Sequence, residues 1–112
     1  MRAAALLVVL VTVGASGPAL AAAPHFDAKA HCDAVARFGG GFSETLMDSC
    51  MNMEQSAYDA VRSSYDDLPS NLRMHCENVA KFGGPGSYSL LKSCIDMERR
   101  AGDRNNGRSF RY

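Results

Sequence analysis

The apolar positions of this 112-residue chain fall at helical spacing. Cys32, Val35 and Ala36 recur at i, i+3 and i+4, and Leu46, Cys50, Met53 and Ala57 follow in steps of four, three and four. Such steps keep side chains on one face of a helix. The same figures return as Cys76, Val79, Ala80 and as Leu90, Cys94, Met97, Ala101. The pattern predicts two amphipathic helices, written twice, with each stripe facing a core.

The second writing is a true repeat. Ala30–Ala57 aligns without a gap on Met74–Ala101, with 14 of 28 positions identical. An ungapped internal repeat lets one chain serve as its own two-member alignment. Polar signals complete each unit. Asp27 and Asn71 are good N-caps for the first helix of each pair, and Ser43 and Ser87 for the second. Phe38 and Phe82 close the first helix, and Gly39 and Gly83 stand where a left-handed residue is wanted. Each unit (about residues 27–57 and 71–101) therefore reads as an αα-hairpin.

Four cysteines sit inside these hairpins. Cys32 and Cys50 are equidistant from Gly41, and Cys76 and Cys94 from Pro85. Antiparallel helices bring such residues level, at separations a disulfide can span. The preferred pairing is Cys32–Cys50 with Cys76–Cys94; a Cys50–Cys76 bridge across the linker, with less symmetric arms, is the alternative. The linker from Arg62 to Ser70 is short, so the hairpins should pack as one small four-helix domain over residues 24–101. Residues 102–112 read as a flexible basic tail.

The N-terminus reads as an address. Arg2 followed by the apolar run Ala3–Val13, with Pro18 and small residues up to Ala23, has the form of a cleaved signal peptide over residues 1–23. The run is too short for a membrane span, which needs ~20 apolar residues. An even cysteine count in a small exported chain fits disulfides and a periplasmic or secreted protein.

Charge narrows the function. Residues 24–98 carry 6 basic and 11 acidic groups, whereas 99–112 carry five arginines against Asp103. A near-neutral mature chain lacks the basic face of a nucleic-acid binder. Arg104, Arg108 and Arg111, with Phe110 and Tyr112, are candidates to touch an envelope protein or an anionic envelope component. No Gly-x-Ser-x-Gly elbow, phosphate loop, His-Glu-x-x-His run or Cys-x-x-Cys pair occurs in the sequence. Nothing therefore points to an enzyme or to a resident cofactor.

The repeat also sorts the candidate ligands. Met47 and Met51 become Leu91 and Ile95, which is how core positions vary, so the methionine cluster reads as core and not as a soft-metal site. Asp33/Arg37 and Glu77/Lys81 keep an acid-before-base pair at i, i+4. Lys29 and Arg73 stand about level with Glu54 and Glu98, which suggests cross-helix ion pairs. What packing leaves unexplained is His31/His75, Ser49/Ser93 and Glu54/Glu98. The histidines and glutamates are the candidate ligand or partner contacts.

Cys76-Glu77-Asn78-Val79-Ala80, then Gly83-Gly84, Ser87-Tyr88, Cys94 and Glu98, resembles small exported bacterial proteins with a Cys-x-x-Val-Ala … Gly-Gly-Ser-Tyr … Cys … Glu pattern. The resemblance implies a bacterial, exported protein and carries no activity. The first copy departs from it, with Gly41-Phe42 before Ser43 and Glu44 in place of tyrosine. The expectation is a non-enzymatic exported interaction module. The competing class is a small metal- or haem-binding protein using His31 and His75.

Overall fold

The computed structural model describes residues 22–112, together with Val9 and Gly14. The expected signal peptide lies outside the described residues, apart from Val9, Gly14, Ala22 and Ala23. Four helices follow: α1 (Ala28–Ala36), α2 (Glu44–Arg62), α3 (Ser70–Ala80) and α4 (Tyr88–Asn105), with a single 3-10 turn, Tyr65–Asp67, between α2 and α3. No strand occurs among the described residues. The domain is all-helical, and its packing pairs α1 with α2 and α3 with α4 as tandem hairpins.

The local chemistry sets the helix ends. Asp27 caps α1 by accepting from the Ala30 N–H at 2.9 Å. Ser43 and Ser87 cap α2 and α4 in the same way, each accepting from the N–H three residues on at 3.2 Å. Asn71 does not cap α3. Pro69 precedes the helix in extended conformation and Ser70 opens it. Arg73 Nη1 clamps this entry by donating to the Leu68 carbonyl at 2.5 Å, so Asn71 falls inside the first turn. Both hairpin turns use left-handed glycine, with φ of +87° at Gly39 and +71° at Gly83. The helix α4 runs past Ala101 to Asn105, where Gly107 at φ +74° ends it, so the exposed tail begins four residues later than the repeat suggests.

Both hairpins are stapled. Cys32 is bonded to Cys50 and Cys76 to Cys94, each pair with 5.5 Å between Cα atoms and 18 residues apart in sequence. In the chain-entropy picture each loop of this length contributes ~3 kcal/mol. Two such bridges suit an oxidising environment.

The main core lies between α2, α4, α3 and the 3-10 turn. It gathers Ala57, Val61, Tyr65, Leu68, Cys76, Ala80, Tyr88, Leu91, Cys94 and Ile95. Glu54 meets the start of α4, and Val61 shares a depression with Ile95 further along, so α2 and α4 run side by side in the same direction. The outer helices α1 and α3 cover the opposite flanks. Only part of each predicted stripe is core. Cys50 and Ala57 are buried, whereas Leu46 and Met53 are exposed, and Leu90 and Met97 repeat that exposure in the second copy. Met47 and Met51 are half-buried.

Three predicted ion pairs are replaced. Arg37 Nε holds Asp33 at 2.9 Å as expected. Its counterpart Glu77 instead accepts from the Tyr65 hydroxyl, and burial together with that carboxylate pushes the Tyr65 phenol up. Glu54 and Glu98 face His31 and His75 and not Lys29 and Arg73, because Arg73 is spent on the carbonyls of Leu68 and Asp66.

Candidate functional site: a buried glutamate and two repeat-related grooves

Glu54 is 2% exposed, yet it sits on a helix whose neighbours Met53 and Gln55 face solvent. Its carboxylate closes the open N-terminus of α4. Ser87 Oγ donates to Oε1 at 2.9 Å, the Tyr88 N–H to Oε2 at 2.6 Å and the Ser89 N–H to Oε1 at 3.3 Å. An anion suits the positive end of a helix dipole, and charge-assisted bonds of this kind are the strong ones. Burial would raise the pKa of this carboxyl, but hydrogen bonds from the Ser89 and Ser87 side chains and from the Tyr88 and Ser89 N–H groups outweigh it. Glu54 therefore stays below the ordinary carboxylate value.

Tyr88 completes this lock between the hairpins. Its hydroxyl accepts from the Phe26 N–H and donates to the Pro24 carbonyl, both at 2.8 Å. Its ring packs against Phe26 and Tyr58, with centroids 4.8 and 4.9 Å away. In the first copy Glu44 stands where Tyr88 does and is exposed. Glu98, the repeat counterpart of Glu54, is half exposed and faces His75.

Above Glu54 lies an apolar groove of about 370 Å³, lined by His31, Val35, Leu46, Met53, Ser49 and Leu90 among others. A second groove of about 440 Å³ is lined by His75, Asn78, Val79, Phe82 and Leu90. The two are repeat equivalents. They match at His31/His75, Val35/Val79 and Leu46/Leu90, whereas Met53, Glu54, Ser87 and Ser89 line the first groove alone. The grooves meet at Leu90, which walls both. Exposed Phe38 and Phe82 stand at matching hairpin tips. Large apolar side chains are thus kept at the same exposed positions in both copies.

The candidate residues divide accordingly. His31 Nε2 is 3.8 Å from Glu54 Oε1 and His75 Nε2 is 3.6 Å from Glu98 Oε1. These are ion-pair separations beyond hydrogen-bond range. The imidazoles line different grooves, and each faces its own carboxylate. Among the described residues no group of three or more His, Cys, Asp or Glu is placed to hold a metal ion. Ser49 lines the first groove; Ser93, its counterpart, lines a shallow depression between α2 and α4. Arg104 lies in the last turn of α4, while Arg108 and Arg111 lie exposed beyond it; none of the three lines either groove. No helix among the described residues is long and apolar enough to cross a membrane.

No family model, curated protein or solved structure matches this chain.

The sequence pointed to His31 and Glu54 but missed Val35, Leu46, Met53 and Leu90, which it assigned to the core. The repeat keeps 46/90 and 53/97 identical beside exchange at 47/91 and 51/95, but the buried pair Ala36/Ala80 is identical too, so identity alone does not separate groove from core.

Proposed function

We propose that the chain is a non-enzymatic exported binding module, acting in the periplasm or outside the cell, whose working surface is the pair of grooves meeting at Leu90. The observation that carries this reading is the repetition of the groove. Two hairpins that agree at half their aligned positions keep His, Val and Leu at the same three lining sites, with both leucines open to solvent. Disulfides fix the geometry of each hairpin, and Glu54 locks one hairpin to the other, so both grooves are held ready without reordering on binding. A partner engaging both grooves gains the avidity of linked sites.

The partner class favoured is an envelope protein offering apolar side chains; the arginine tail would add attraction to an anionic neighbour. Two observations speak for binding over catalysis. Glu54 is consumed by three donors at the start of α4, and His31 presents Nε2 to that carboxylate and not to a nucleophile.

Photo-crosslinking in the exporting cell tests the reading. A crosslinker at Leu90 should give a discrete adduct that Leu46→Glu diminishes, while one at Asp59, exposed on α2 and lining neither groove, should not. Equal labelling from both positions, or none from Leu90, would contradict it.

A further inference from the structure

Met53 and Met97 are each 63% exposed, and they are the one methionine pair the repeat preserves. Their neighbours behave otherwise: the half-buried Met47 and Met51 become leucine and isoleucine in the second copy. Packing accounts for the exchange at 47 and 51. It gives no reason to keep an exposed thioether at 53 and 97, where an apolar helix former would cover the same surface. Thioether chemistry does give one. A methionine sulfur open to solvent takes up oxygen from peroxides or hypohalous acids, and the product is polar where the parent was apolar.

We infer that Met53 is a reversible oxidation site whose conversion to the sulfoxide switches the first groove from apolar to polar. Met53 lines that groove beside Leu46, Cys50 and Leu90. In the step itself the sulfur lone pair attacks one peroxide oxygen, the O–O bond breaks and an S–O bond forms. The thioether loses two electrons, and hydrogen peroxide is reduced to water. No other cofactor is needed, and a methionine sulfoxide reductase reverses it. Met97 is equally exposed at the matching place on α4 and oxidises alongside, but it does not line the second groove, so the switch acts on the first. The Cys32–Cys50 bridge beneath is already oxidised and takes no part. The oxidation site stands without the binding reading above; only its consequence for a ligand rests on it.

The experiment treats the folded, disulfide-bonded protein with dilute hydrogen peroxide and follows each methionine by peptide mapping. Methyl resonances are recorded on the same samples. Met53 and Met97 should oxidise about fivefold or more faster than Met47 and Met51, because access of the oxidant to sulfur sets the rate. The methyl signals of Val35, Leu46 and Leu90 should move in step with Met53 conversion and return after reductase treatment. Those of Leu68 and Ile95 in the core should stay. Met53→Leu should abolish the groove shifts while leaving Met97 and Met74 oxidisable; Met74 is exposed but lines neither groove. Equal rates at Met47, Met51 and Met53 would overturn the inference. So would groove signals that do not move in the wild type, or that still move in Met53→Leu.

Discussion

The Glu54 carboxylate and the Tyr88 N–H, 34 residues apart in sequence, meet at 2.6 Å and join the two hairpins through a buried helix cap. Most caps are local, supplied by the residue just before the helix. Here Ser87 supplies the local cap, and the preceding repeat adds a charged one over it. One side chain thus ties helix termination, repeat stacking and the floor of the first groove together.

Removing that carboxylate should loosen the contact between hairpins more than either hairpin itself. Glu54→Ala leaves the Ser87 hydroxyl and the Tyr88 N–H buried without their acceptor, a loss of about 2–4 kcal/mol. Glu98→Ala, at the matching position but half exposed, should stay within about 0.5 kcal/mol of wild type. Urea denaturation of both variants checks the contrast.

The same group sets an acid limit. The folded-state pKa of Glu54 lies below its unfolded value of about 4.5, so its contribution is full above that pH and is lost as pH falls through the lower, folded value. The stability gap between wild type and Glu54→Gln should be constant from pH 7 to 5 and shrink as the pH drops below 4.5. Thermal melts of both proteins across that range measure it.

Gly86 should tolerate nothing larger. It sits at φ +100°, and a Cβ there would lie 2.5 Å from the Phe26 ring. Gly86→Ala must displace Phe26 from Tyr88 as well as strain the backbone, together about 2–4 kcal/mol. Gly84, two residues earlier, has ordinary φ and open space around it, so Gly84→Ala should be near neutral. Paired denaturation curves check both.

The two staples should differ in worth. Cys76 and Cys94 belong to the main core, whereas Cys32 and Cys50 are buried apart from it. Replacing Cys32 and Cys50 by alanine should cost the ~3 kcal/mol of loop constraint. The same change at 76 and 94 should cost more, since core packing is lost as well. Calorimetry of the two double variants ranks them.

Periodicity, caps and cysteine spacing made the hairpins legible because those rules act within about four residues along the chain, or across one turn. Ser43, Ser87, Asp27 and both bridges follow directly. The role of Glu54 was not legible, because its donors sit in the next repeat and nothing local names them. The stripes were over-read for a related reason. Helical spacing shows that Leu46 and Met53 share a face with Cys50, but not how far the neighbouring helix extends over that face. Leu46 and Met53 lie level with Ala36 and Lys29, within the length of α1, so they are open at the side of that helix contact and not beyond its end. Asn71 was misplaced because Pro69 and the Arg73 clamp start the helix earlier.

The proposed binding surface, two grooves meeting at Leu90, is tested by titrating the partner crosslinked at Leu90 against wild type, Leu46→Glu and Leu90→Glu. Leu46 walls one groove and Leu90 walls both, so the first change should weaken binding about tenfold and the second about a hundredfold, one lost apolar anchor against two. Both variants should melt within a few degrees of wild type, as the two side chains are largely outside the core. Wild-type affinity in Leu90→Glu, with the fold intact, would contradict the claim.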